Sequence, residues 1–465
     1  MKKLILYLIG LTFYVSAYSQ DSLMHYLGMA TKNNPVVLQR YNEYQAALQK
    51  VPQVGSLPDP QLEMGVFLSP MELMAGNQVA DIKLMQMFPW FGVIKNAKDE
   101  MSLMAKAGFE TFRDAKLQVY YDVQRTWFDL YKVRQNIIIS EKNVDLLKTI
   151  ERLTLVKYKS GTSTGSSSSS GANMPGGNTA TTSSASGGMN SMGGNGGSTV
   201  SGSTTSSASS SMVSSAGSSG LANVYQIQIE LGDLENNIAS LRNEEQVLMA
   251  RFNSQLNRSL KTPVSAAETL PAEPLDIAYL TVSDSMFSVN PMLIMLQYEK
   301  QSLEARRKMQ KQMGLPMVGV GLNYSVINKS EMSTSPMNGQ DMIMPMVTVT
   351  LPVYRKKYKA MQVETSYLKA ATEQNYQATV NALQTEYYEA LQLYNDAQRR
   401  MKLYESQSRL AKKSLDISIK TFSSSGSNLT DILRIRQQLL DYEFKQVEAL
   451  TDFNKAVAWM KRLKQ

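Results

Sequence analysis

The chain of 465 residues contains no cysteine and a single histidine, His25. The first absence excludes disulfides, thiolate metal sites, cysteine nucleophiles and the lipid-bearing N-terminal cysteine of a bacterial lipoprotein. The second excludes histidine-cluster metal centres and weighs against Ser-His-Asp catalysis. The sequence shows no Gly-rich phosphate loop, no framed pair of carboxylates and no metal-ligand spacing, so neither an enzyme nor a resident cofactor is expected. Charge of one sign is also scarce. Lys and Arg number 48 against 40 Asp and Glu, without a dense basic run, which excludes nucleic acid as the expected partner. Beyond the N-terminus no run of 18 apolar residues occurs, so no transmembrane helix is expected. Proline is sparse at 15 residues, whereas methionine is abundant at 29.

Lys2 and Lys3 precede an apolar run, residues 4–13, and Ala17-Tyr18-Ser19 follow with small residues. This is the layout of a secretory signal peptide over residues 1–19. An exported protein without a spanning helix is periplasmic, secreted or an outer-membrane β-barrel.

The remainder reads as a duplication, residues 20–260 and 276–465, joined by a linker at 261–275. In the first half a helical segment of about thirty residues begins near Asp21 and contains Asn34-Pro35. A break at Leu57-Pro58-Asp59-Pro60 is followed by alternating segments at 61–69 and 80–88. Phe88-Pro89-Trp90 then opens a long helix to about Ser160. The second half repeats this order with Asn290-Pro291 in a helix, a break at Leu315-Pro316, strands at 317–326 and 342–351, and a helix from Leu351-Pro352-Val353 to about Phe422. From the opening proline to the next glycine-containing turn is 72 residues in one half (Pro89 to Gly161) and 74 in the other (Pro352 to Gly426). After each turn, Val224, Ile227, Leu231 and Leu234 recur at an offset of 208 as Ile432, Ile435, Leu439 and Tyr442. Such self-similarity marks an internal repeat. About 70 helical residues make a rod of roughly 100 Å, which needs other helices along its length. Each half is therefore expected to be a pair of long antiparallel helices with a β-hairpin at the far end.

A bilayer-spanning strand needs about 9–11 residues, and the four alternating segments approach that length. Val318, Val320, Leu322, Tyr324 and Val326 alternate with Met317, Gly319, Gly321, Asn323 and Ser325, a lipid-out, lumen-in pattern. A soluble hairpin on a core gives the same alternation. Four strands cannot close a barrel, for which about eight is the minimum, so a barrel requires several copies; three copies give twelve strands. Phe88, Trp90 and Phe91 fit either an interfacial aromatic belt or packing where barrel meets helices.

The order helix, hairpin, long helix, turn, helix, given twice behind a signal peptide, resembles the TolC-type outer-membrane efflux family over essentially the whole mature chain. Its marks are Asn34-Pro35, Asn290-Pro291, Pro58-Asp59-Pro60, Phe88-Pro89, Leu351-Pro352 and the stretch from Phe422 to Leu440. The resemblance implies a mostly α fold with a membrane β-barrel: a homotrimer whose duplicated repeat forms an α-helical periplasmic tunnel and a shared 12-stranded barrel. It implies the outer membrane of a Gram-negative bacterium, contact with its lipid, and coupling to a periplasmic adaptor and an inner-membrane pump. It places the entrance and adaptor-docking tips near Gly161, Asn223, Gly426, Leu429 and Asp431. Asp431 lies where the family often carries an acidic residue, but its counterpart at offset 208 is Asn223. The first tip also holds an insertion of about 57 residues relative to the second; residues 162–220 are mostly Ser, Gly, Thr, Ala and Asn without a charge. Its composition predicts a flexible loop.

Methionine bears on the substrate. Met342, Met344 and Met346 share a strand face with Thr348 and Thr350, and Met85 and Met87 with Asp81 and Lys83. Met174, Met189, Met192 and Met212 are the large apolar residues of the insertion beside Val200 and Val213. Thioethers are soft ligands that select Cu(I), and by the same softness Ag(I). The sequence thus supports an exit duct, either for soft metal ions or for organic compounds or exported protein with methionine as packing. A periplasmic coiled-coil scaffold without a pore is the alternative of another class.

Overall fold

The computed structural model describes residues 22–161, 219–265, 269–273, 275, 287–334, 336–424 and 428–464. The expected signal peptide and nearly all of the insertion lie outside them. Contacts divide the chain into two units. The first comprises residues 1–139, 239–412 and 437–465, the second residues 140–238 and 413–436.

The first repeat contains α1 (Ser22–Asn33), α2 (Pro35–Gly55), β1 (Gln61–Leu73), β2 (Gly76–Phe88), α3 (Val93–Gly161) and α4 (Ser219–Gln255). The second contains α5 (Pro291–Met313), β3 (Met317–Asn328), β4 (Met342–Thr350), α6 (Arg355–Ser424) and α7 (Leu429–Lys464). The duplication is close in length: 69 and 70 residues for the long helices, 37 and 36 for those that follow. The periodic set on α6, from Tyr376 to Tyr404, is buried or half-buried throughout.

Two expectations are corrected. Asn34 and Asn290 are not inside helices. Each is an N-cap in extended conformation (φ −63° and −64°, ψ 126° in both) followed by proline at the first helical position. Asparagine followed by proline starts a helix, because the side-chain oxygen takes an orphan N–H and proline has none to lose. The helix expected from Asp21 is therefore two, α1 and α2. Each half otherwise has the expected order of helix, hairpin, long helix and helix, so two shorter helices accompany each long one in succession.

The same asparagines explain that succession. Asn34 Oδ1 accepts from Val36 N (2.9 Å), and its Nδ2 donates to the carbonyl of Gln255, the last residue of α4 (2.7 Å). Asn290 Oδ1 accepts from Met292 N (3.0 Å), and its Nδ2 donates to the carbonyl of Leu463 at the end of α7 (3.3 Å). One buried amide thus joins the end of one helix to the start of the next. The negative end of one helix dipole meets the positive end of the next, which reinforces the join. Leu463 and Leu293 accordingly pack together with Leu383 and Tyr387 of α6. Farther along α6, Ala390, Tyr394 and Ala397 meet Phe453, Ala456, Val457 and Met460 of α7. Lys369–Glu304 (2.7 Å) ties α6 to α5, and Arg400–Asp452 (2.9 Å) ties it to α7. In the first repeat, Tyr44 on Phe109 joins α2 to α3, and Arg134–Glu245 (2.7 Å) joins α3 to α4. Two described residues of the expected linker are tied to the helices: Leu270 N donates to Tyr131 Oη (3.2 Å) and Glu273 N to Asn454 Oδ1 (2.9 Å).

The strands form one antiparallel sheet in the order β1-β2-β3-β4, so the two hairpins are joined through β2 and β3. β1 and β2 run longer than expected, with ladder irregularities between Val66 and Met71 and between Gln78 and Ala80. Pro345, which costs a ladder bond, lies in β4 at the edge of this four-stranded sheet.

Replacing Asn34 or Asn290 with Ala removes the cap and leaves a buried carbonyl without its donor. The expected loss is roughly 2 kcal/mol at each site. Asp restores an ordinary N-cap but not this one, because its second oxygen faces a carbonyl. Thermal unfolding of the Ala and Asp variants should therefore show that Asp does not rescue.

Candidate functional site

The ladder register decides which side chains share a face. Leu62 opposes Leu84, Leu84 opposes Leu322, and Leu322 opposes Pro345; Ile82 opposes Tyr324, which opposes Ile343. Apart from Gln86, opposite Val320, this face is apolar across all four strands and strongly exposed: Met64, Val66, Leu84, Val320, Leu322, Ile343, Val347 and Val349 present their side chains outward. An apolar surface of this extent, on a sheet with two unpaired edges, is unstable in water.

The other face is mixed. Glu63 opposes Lys83, and the two form an ion pair (3.0 Å). Lys83 opposes Asn323, which opposes Met344; Asp81 opposes Ser325, which opposes Met342. Met85 opposes Gly321, which opposes Met346, and Met87 opposes Gly319, which opposes Thr348. All five strand methionines singled out above therefore lie on the polar face. A Cβ at residue 319 would stand 2.5 Å from Met87 Sδ, so glycine is what lets that thioether cross to the next strand. Met85 and Met346 are two strands apart, roughly 9–10 Å between backbones. The face is a lining of thioethers. Met174, Met189, Met192 and Met212 lie outside the described residues.

At the second tip α7 begins with Leu429, which is 1% exposed and packs inward. Asp431 is exposed and pairs with Arg434 on its own helix (3.2 Å). Gly161 ends α3, Asn223 is half-buried in α4, and Gly426 lies outside the described residues. The offset-208 stripe is confirmed as packing: Val224, Ile227, Leu234, Ile432 and Leu439 are buried.

Sequence reasoning missed the strongest polar feature of this unit. Arg436 has a side chain only 5% exposed and is paired with Glu230 across α7 and α4. Its Nε and Nη1 have no partner among the described residues. The signal was available, because Arg436 interrupts an apolar stripe between Leu433 and Leu440. Elsewhere burial pushes the carboxyls of Glu100 and Asp114 upward, with Arg306 and Arg462 respectively opposing the shift. The hydrogen bond from Lys369 holds Glu304 below the usual range. These carboxylates serve helix packing.

No family model and no curated protein matches the sequence. Solved structures do. The outer membrane protein VceC of Vibrio cholerae matches over 95% of this chain and 96% of its own, with a TM-score of 0.68 at 11% identity. The CmeC outer membrane channel of Campylobacter jejuni matches over 95% and 85%, with a TM-score of 0.69 at 12% identity. The chain has the fold of the outer-membrane channels. The MtrE channel of Neisseria gonorrhoeae, solved in its open state, agrees over 95% and 88% with a TM-score of 0.66 at 11% identity. The TolC-type resemblance read from the sequence thus holds at the level of the fold.

Removing Glu230 leaves the buried Arg436 charge uncompensated, and Glu230→Ala is expected to cost about 3 kcal/mol. The double change Glu230→Leu with Arg436→Leu should recover most of it. Hydrogen exchange across residues 224–238 checks both.

Proposed function

We propose that the chain is one subunit of an outer-membrane exit duct, passing substrate from the periplasm to the exterior with energy supplied by an inner-membrane pump through a periplasmic adaptor. The observation that carries this reading is the exposed apolar sheet face backed by a polar face, on strands of 9 to 13 residues. Lipid satisfies the first face and an aqueous lumen the second. Neighbouring copies complete the ladder at β1 and β4, and three copies supply the twelve strands. The similarity in fold to channels of the outer membrane supports the same location. The tips at Gly161, Asn223, Gly426, Leu429 and Asp431 then form the periplasmic entrance and the adaptor-docking surface. A pore-free coiled-coil scaffold has no use for a sheet with this surface.

The finer reading concerns cargo. Methionines at 85, 87, 342, 344 and 346 on the polar face support passage of Cu(I) or Ag(I), for which successive thioethers are weak, exchangeable ligands. Conduction asks for that kind of ligand. Growth of a deletion strain on copper, silver, zinc, dyes and antibiotics tests this. Selective sensitivity to copper and silver is expected, and replacing the five methionines with Leu in the complementing gene should reproduce it. Broad sensitivity to dyes and antibiotics would assign the duct to organic compounds.

A further inference from the structure

The apolar sheet face does not end at the strands. Where strand passes to helix, Leu57, Phe88, Trp90, Phe91, Ile94 and Pro316 line an open cleft of about 510 Å³. Trp90 is 37% exposed and Phe91 88%, with their rings edge to face at 6.1 Å. Gly92 holds φ +88°, with the Gln312 amide packed against it, and Asn96 Nδ2 donates to Gln312 Oε1 (2.6 Å). The cleft is therefore fixed between the start of α3 and the end of α5, continuous with the apolar face.

A basic collar stands on its helix side. Lys95 and Lys98 are exposed on the first turns of α3, and Arg355, Lys356, Lys357 and Lys359 on those of α6. Contacts tie both groups to the cleft. The Lys98 stem lies 3.4 Å from a Cβ built at Gly55, two residues before Leu57. Tyr358 lies 3.7 Å from one built at Gly314, two residues before Pro316. The carboxylates nearest to it in sequence are Asp99 and Glu100 on α3, Glu364 on α6 and Asp59, four against six cations, so the collar is net positive. The loops at the other end of the sheet have the opposite balance, with Glu72, Glu331 and Asp341 against Lys329.

We propose that this junction binds an anionic phospholipid of the periplasm-facing leaflet, an acyl chain in the aromatic cleft and its phosphate on the Lys/Arg collar. Aromatic side chains settle at the level of the headgroups, and long basic side chains extend to phosphates while their stems cover apolar surface. Juxtamembrane basic clusters select anionic over zwitterionic lipid. The inference depends on the membrane placement of the sheet proposed above.

The full chain is reconstituted in vesicles of phosphatidylethanolamine and phosphatidylglycerol at three to one. Bromine is carried on the acyl chains of one lipid or the other, at equal total bromine. Tryptophan quenching is read against Trp90→Phe, which isolates Trp90 from Trp127 and Trp459. A second readout is an environment-sensitive dye on Val347→Cys, a unique label in a chain without cysteine. The expected result is a dry label at 347 and Trp90 quenching several-fold stronger from brominated phosphatidylglycerol. Changing Arg355, Lys356, Lys357 and Lys359 together to Gln should abolish that several-fold preference while the label stays dry. Equal quenching from the two lipids with a dry label overturns the inference and leaves the membrane placement standing. A label exposed to water overturns both.

Discussion

A helix of 70 residues cannot stand alone, and everything else in this chain follows from how that need is met. Neither repeat supplies a partner helix of equal length. Each builds one from two shorter helices set end to end, and the join is a single buried asparagine. Four orphan carbonyls end one helix and four orphan N–H groups begin the next. Asn34 and Asn290 answer both kinds of group with one amide, accepting at one helix start and donating to one helix end. The proline that follows each needs no acceptor. Near-identical backbone angles at the two positions show the device used twice.

The joins leave the chain free to do something else between the helices. The connection from α2 to α3 and that from α5 to α6 are not turns but hairpins, and the hairpins pair with each other through β2 and β3. The resulting sheet is unfinished in two respects. Its edges carry unpaired backbone groups, and one face is apolar and exposed. In a bilayer, open edges are not tolerated and an apolar face is required. Both demands are met together when copies of the chain close the ladder in lipid. The mixed face, with its Glu63–Lys83 pair and thioethers, then turns inward.

Much of this was legible in the sequence. Hydrophobic period, proline spacing and the offset of 208 gave the repeats, the long helices and the alternating faces. They did so because packing along a rod and across a strand imposes strict periods on the residues. The two asparagines were seen but placed within helices, since the periodicity runs almost unbroken across them. Only the three-dimensional meeting of α4 with α2, and of α7 with α5, reveals what they bond. The pairing of β2 with β3 was likewise hidden, because it joins residues more than 200 positions apart. Glu230 and Arg436 escaped for the same reason, although an arginine between Leu433 and Leu440 breaks the stripe in plain view. The methionines were correctly assigned to one face, because alternation fixes the face without knowledge of the partner strand.

The central claim is that the sheet is a fragment of a barrel completed by copies in a membrane. The mass of the native particle tests it most directly, measured after fractionation of cells expressing the full chain. The account predicts a particle of three chains, extracted from the outer-membrane fraction only with detergent. A single chain released into the soluble fraction by osmotic shock would contradict it.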